Sequence, residues 1–225
     1  IDAKGAAGTG GDVQLLGNHV GLIGASVDAS GTTGGGTVLV GGDYQGKNLN
    51  VQNAQATYMS ADSTISADAI ANGSGGKVVL WANDSTRAYG SITAQGGAKG
   101  GNGGLIETSG HWLDVAGIKV NAGAPHGKSG MWLLDPADVT ITGAVDSGGT
   151  YNNLNPDVFT PSSGMATANV NLTTITTALN LGTDVTITTA NSGASGAGSG
   201  DISVTAAITW SVTAPTTPST LTLSA

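Results

Sequence analysis

Short segments in which apolar and polar residues alternate recur along the chain, and most of them follow a block of glycines. The first kind reads GGDVQLLG from Gly10, GGTVLVGG from Gly35, GGKVVLWA from Gly75, GGLIETSG from Gly103 and, in degenerate form, SGMWLLD from Ser129. A second kind follows it: SVDASG at Ser26, TISADA at Thr64, SITAQG at Ser91 and KVNAG at Lys119. A period of two marks a strand with one face buried. It is carried by Val13 and Leu15, Val38 and Val40, Val78 and Leu80, Ile92 and Ala94, Val139 and Ile141, Val185 and Ile187, and Ile202 and Val204. No amphipathic stretch long enough for a helical crossover separates these strands.

The spacing between the two kinds is informative. Val13 to Val27, Val78 to Ile92 and Ile106 to Val120 are each 14 residues, whereas Val38 reaches Ile65 only after 27, as though that copy held an extra segment. Glycine blocks begin 25, 40, 28 and 26 residues apart, from Gly11 through Gly36, Gly76 and Gly104 to Gly130. A unit of this size cannot bury its own apolar face, so neighbours must stack. The expected fold is all-β: a right-handed parallel β-helix, or solenoid, in which each strand pairs with the same segment of the next unit. Glycine serves its corners, and Ser, Thr, Asn and Asp beside it cap backbone groups there.

The pattern divides the chain into β-helix rungs over 1–142, a loop excursion over 143–170, and a short helix or turn followed by further rungs over 171–225. The excursion loses alternation and gathers Pro156 and Pro161, which marks a loop leaving the rod. In the segment after it Asn171 can cap a helix, Leu172, Ile175 and Leu179 share a face, and Gly182 stops it. Strand edges left open at both ends suggest a segment of a longer chain or a protomer stacked end to end.

Aligning the glycine blocks puts Val13, Val38, Val78, Ile106 and Trp132 inward and Gln14, Leu39, Val79, Glu107 and Leu133 outward. Three of those five outward residues are apolar, and an apolar stripe outside a rod needs a cover. The 143–170 excursion or another molecule would supply it. Leu39, Val79, Trp81 and Leu133 are therefore the candidate surface contacts. Trp81 is the best aromatic for binding carbohydrate, with Tyr89 and Trp112 behind it; filling rung corners is the competing role for these rings.

Composition narrows the chemistry. The chain has 225 residues, 38 of them Gly, with no Cys, 10% charged residues and a net charge of -8. Such an acidic chain offers no cationic patch for nucleic acid. No apolar run approaches the roughly 18 residues of a membrane span. AGAPHGKS, Ala122 to Ser129, mimics a phosphate loop but is followed by a strand and Pro136 instead of the required helix. GASGAGSGDISV, from Gly193, lacks the Gly two before Asp201 that a calcium-binding repeat requires. His19, His111 and His126 lack metal-ligand spacing, and sequons at Asn72, Asn83 and Asn171 read as turn residues. No catalytic, cofactor-binding or metal residue is assigned, no cofactor is expected, and the chain is read as a non-enzyme. The enzymatic alternative is a polysaccharide-degrading β-helix, with acids and a base gathered in a groove.

At VLVGGDYQGKN (Val38 to Asn48), KVVLWANDSTRAYGSITAQGG (Lys77 to Gly97), ETSGHWLDVAG (Glu107 to Gly117), GMWLLDPADVTIT (Gly130 to Thr142) and DVTITTANSGASGAGSGDISV (Asp184 to Val204), the chain resembles the filamentous-haemagglutinin-like exoproteins of bacterial two-partner secretion. The resemblance implies a secreted, extracellular β-helical filament on the cell surface of a Gram-negative bacterium. It also implies export by an outer-membrane pore of the two-partner type and a role in cell adhesion, aggregation or biofilm matrix. Host or matrix glycans or proteins, and homotypic stacking or bundling, are the partners expected; nucleic acid and membrane insertion are not. A head-to-tail polymerising filament subunit is the other structural reading.

Overall fold

The computed structural model describes residues 1–143, 149–151, 159–161, 167–190, 198–212 and 217–225, whose regular structure is mostly β-strand with one α-helix among them. In chain order the strands are β1 (Asp12–Leu15), β2 (His19–Leu22), β3 (Ser26–Asp28), β4 (Thr37–Val40), β5 (Ala56–Met59), β6 (Thr64–Ser66) and β7 (Lys77–Ala88). There follow β8 (Ser91–Thr93), β9 (Leu105–Asp114), β10 (Lys119–Asn121), β11 (Met131–Asp135), β12 (Asp138–Thr142), β13 (Gly149–Tyr151), β14 (Phe159–Pro161) and β15 (Thr167–Asn171). Helix α1 (Leu172–Asn180) precedes β16 (Asp184–Thr188), β17 (Ile202–Val204) and β18 (Leu221–Ser224).

Strands distant in sequence pair in parallel. The largest sheet runs β1-β4-β7-β9-β11-β16-β18, with β2 and β5 joined to its β7 side, and a second runs β10-β8-β6-β3. A third, β15-β12-β17, is also parallel, whereas β13 and β14 form an antiparallel ribbon. Register follows the sequence alignment for Val13, Val38, Val78, Ile106 and Trp132, which are successive ladder partners, and the structure extends the same column to Val185 and Leu221. Val27, Ile65, Ile92 and Val120 do the same in the second sheet. One-residue slips would turn every apolar side chain outward, so these columns fix the register. They are also the core: from Val27 to Val185 both columns are almost wholly buried. Trp132, the one indole in a column of Val and Ile, is accommodated because its Nε1–H donates to the buried Thr108 hydroxyl at 3.0 Å; a buried indole N–H needs such a partner.

A glycine and an alanine stitch each unit to the next. Ala29, Ala67, Ala94 and Ala122, in the second kind of segment, are all fully buried. Their carbonyls accept from the N–H of Gly36, Gly76, Gly104 and Gly130 at 2.7–2.8 Å. The first glycine of each pair lies so near that a Cβ on Gly10, Gly35, Gly75 or Gly103 would collide with the same carbonyls. Glycine is required at this seam by close backbone approach.

The helix forms where the sequence places it. Asn171 Oδ1 accepts from the Thr173 N–H at 2.8 Å, and Gly182 follows the last turn with φ +77. Ile175 and Leu179 are buried. The Thr183 hydroxyl accepts from the Ala122 N–H at 2.8 Å, tying the helix exit to the chain just beyond β10. The expected 143–170 excursion is shorter than its sequence suggests, because β15 begins at Thr167 and pairs with β12. Inside it β13 pairs with β14; positions 144–148, 152–158 and 162–166, like the first part of the GASGAGSGDISV segment, lie outside the described residues.

Candidate functional site under a surface strap

The extra residues of the second unit have a defined place. In β7 the chain runs on from the segment that pairs with β4 to the segment that pairs with β5, and β9 pairs along both parts of β7, with a register shift between Ala82 and Ser85. In the second unit β4 and β5 are separate, and residues 41–53 loop out between them over the outer face of the sheet. The loop is closed at its base by the Ala54 N–H donating to the Gly41 carbonyl at 2.6 Å. Val51 packs on Leu39, Val79 and Trp81, which form a small apolar cluster of their own. Gly42 and Gly46 lie against the Trp81 indole.

This overturns the exposed role expected for Leu39, Val79, Trp81 and Leu133. They are 3%, 0%, 0% and 2% exposed. The stripe does need a cover, and for Leu39, Val79 and Trp81 the 41–53 strap of the same chain supplies it. The extra 13 residues (27 against 14) in the Val38 to Ile65 spacing were its signal in the sequence.

Polar groups continue the stripe. Glu107 is the ladder partner of both Val79 and Leu133, and Ser109 that of Trp81 and Asp135. Glu107 and Asp135 are both fully buried, and one residue of the strap reaches both. The Gln45 N–H donates to the two carboxyl oxygens of Glu107 at 3.1 Å each, and Gln45 Nε2 donates to Asp135 Oδ2 at 3.1 Å. Gln45 does this from a left-handed backbone, φ 53 and ψ 23, the one non-glycine with positive φ among the described residues. Such geometry in a side-chain-bearing residue persists only where surrounding contacts impose it. Lys47 Nζ donates to Gln45 Oε1 at 2.9 Å.

Beside this, Lys77 Nζ meets Asp43 Oδ1 at 2.7 Å. Burial opposes ionisation of Asp43, but bonds from Asn48, Lys77 and the Tyr44 N–H hold its carboxyl below the ordinary carboxylate range. Glu107 behaves oppositely. Burial pushes it up to about 7, helped by repulsion from Asp135 and Asp43 and opposed by the Gln45 N–H and the Ser109 hydroxyl. Burial, with the charges of Glu107 and Asp135, also raises Tyr44. Sequence reasoning placed Glu107 on this face but missed its pairing with Asp135 and Gln45, because only the folded strap brings residue 45 over residues 107 and 135.

A second polar cluster occupies the neighbouring part of the same sheet. Gly21, Tyr58, Arg87 and Asp114 are successive ladder partners. The Arg87 guanidinium lies 5.0 Å from the Tyr58 ring centre, a cation–π distance. Tyr58 meets Tyr89 edge-on at 6.0 Å, and the Tyr89 hydroxyl donates to Asp114 at 2.7 Å. Trp112 is 2% exposed and so presents no aromatic surface, while Tyr89 remains half-buried.

Among the described residues no three or more His, Cys, Asp or Glu gather where they could hold a metal ion, and no helix is long and apolar enough to cross a membrane. No protein-family model matches the chain, and no curated protein sequence matches it.

Proposed function

We propose that the chain is a right-handed parallel β-helix and serves as a rigid segment of a secreted bacterial surface adhesin or filament. The observation that carries this reading is the unbroken parallel register from Val13 to Leu221, one residue from each successive unit. Units stacked in this way extend a rod by about 4.8 Å each, and each needs only its neighbours for stability. The resemblance of Gly130 to Thr142 and the other quoted segments to haemagglutinin-like exoproteins supports the same role. It also points to export through a two-partner outer-membrane pore.

The chemistry of the outer face agrees with a mechanical role. Glu107 and Asp135, acids that neighbouring strands bring together on this face, are closed beneath the strap and bonded to Gln45, whereas a polysaccharide-cleaving β-helix needs its acids open to a chain of sugar. In this reading the rod presents loops or a distal tip to host cells, other bacteria or matrix, and performs no reaction.

Immunogold labelling of the producing bacterium with antibody against this chain, combined with attachment assays on a strain that lacks it, tests the proposal. Label along surface filaments and a loss of attachment are expected. Label confined to the cell interior, or attachment unchanged without the chain, overturns it.

A further inference from the structure

We propose that residues 41–53 form a proton-gated strap, closed over the outer face while the Glu107 carboxyl keeps its proton and lifting when that proton passes to solvent. The inference is independent of the adhesin reading.

The geometry gives the strap two kinds of fastening. One does not involve Glu107: the Asp43–Lys77 ion pair and the packing of Val51 on Leu39, Val79 and Trp81, while within the strap the Asn53 Nδ2–H donates to the Gly46 carbonyl at 2.8 Å. The other is the bridge from Gln45 to Glu107 and Asp135. Among the described residues, the titratable and charged groups around Glu107 are Asp43 and Tyr44 from the strap and Asp135 from β11, with Lys47 of the strap behind Gln45 and Lys77 of β7 behind Asp43. Lys77 is committed to Asp43, and Lys47 reaches the Gln45 side-chain oxygen. Of the strap's donors, a single backbone N–H turns to the Glu107 carboxyl.

The Ser109 hydroxyl from its own strand adds one more, and a protonated Glu107 fits so small a supply of donors. An ionised one puts a second negative charge beside Asp135 in a fully buried site, where an underpaired charge is costly. It can be solvated in two ways. The sheet beneath would have to break its ladders on both sides, since at Glu107 β9 pairs with β7 on one side and β11 on the other. The strap has to give up the Gln45 contacts, the Asp43–Lys77 pair and the packing of Val51, but no strand ladder, as it swings about Gly41 and Gly42, which stand at its start with φ +74 and +158. Lifting is the smaller change, and it releases Gln45 from its left-handed backbone. Burial of the carboxyl sets the proton's release near neutral pH.

The composition makes the test direct, because Glu107 is the one glutamate in the sequence. Protein carrying carboxyl-labelled glutamate gives one side-chain carbon resonance to follow through a pH titration. In the same samples, amide hydrogen exchange is expressed as protection relative to the unstructured rate at each pH. The expected result is a titration near neutrality together with at least a tenfold loss of protection at Gln45 and Ala54 over the same range. Val78 and Ile106 should stay protected. In Glu107→Gln the protection of Gln45 should be flat with pH. A Glu107 titration with no change at Gln45, or the same loss in Glu107→Gln, overturns the proposal. If the variant does not fold, the coincidence or separation of the two wild-type midpoints decides it.

Discussion

Gly46 lies flat on the indole of Trp81: a Cβ at position 46 would stand within 2.7 Å of three atoms of the ring system. Its φ of +63 adds a backbone that side-chain-bearing residues seldom adopt. Gly46→Ala should therefore destabilise the closed strap by about 1–3 kcal/mol. The large sheet, which does not depend on the strap for its ladders, should remain. Amide exchange checks this: protection should fall at 43–54 and hold at Val78 and Ile106. An equal fall at both would show that strap and sheet unfold as one.

The buried carboxyl gives stability a pH dependence of definite sign. Glu107 titrates at an ordinary 4.5 when unfolded and at about 7 when folded. Between those values the unfolded chain has lost the proton and the folded chain keeps it, so stability falls as pH rises. Below 4.5 both forms are protonated and above 7 both are ionised, and the contribution is flat on either side. The total is about 3 kcal/mol. Asp28, Asp43 and Asp138 have lowered carboxyls, whose stabilisation is lost in the opposite direction, at acid pH. Urea unfolding of wild type and Glu107→Gln from pH 4 to 8 isolates the glutamate: the difference between them should shift toward the variant across the window and level off above it.

The parallel columns were legible in the sequence because each of their residues is read from one face of one strand. Val13 through Trp132 could be aligned by their glycine blocks alone, and the structure pairs them as aligned. The helix was legible through its cap, Asn171, and its stop, Gly182. The site was legible only in half. Alternation put Leu39, Val79, Glu107 and Leu133 on the outer face, but a period of two does not say what lies above that face. The cover comes from an insertion with no period of its own, and its anchor at Gln45 owes its conformation to groups 62 and 90 residues away. Ladder partners repeat and can be counted; a loop packed on a sheet leaves only its length.

The columns also predict a gradient. Val78 is flanked on both sides, by Val38 and Ile106, and is fully buried; Val13 has Val38 on one side and is 8% exposed. Removal of the same two methyl groups should cost about 2–3 kcal/mol at Val78, where a cavity is left between two layers. At Val13 roughly 1 kcal/mol or less is expected, since solvent and Ala3 can adjust. Chemical denaturation of Val78→Ala and Val13→Ala measures both, and equal costs would mean that packing along the column is not layered.

Two glycine substitutions separate close approach from mere flexibility. At Gly75 an added methyl would be forced against the Ala94 carbonyl and would stand 2.7 Å from the Gly104 nitrogen, while that nitrogen already donates to the same carbonyl at 2.7 Å. Both obstacles are backbone, so relief requires breaking the stitch between two units; Gly75→Ala should cost roughly 2–4 kcal/mol. At Gly21, in β2, nothing lies within 4 Å of an added Cβ and φ is not positive. There the substitution removes freedom mainly from the unfolded chain, and Gly21→Ala should be neutral or raise stability by about 0.4–1 kcal/mol. Thermal unfolding of the pair should move the two midpoints in opposite directions from wild type, or leave Gly21→Ala unmoved. A Gly75→Ala midpoint equal to wild type would mean that the glycine seam is not what holds successive units at their spacing.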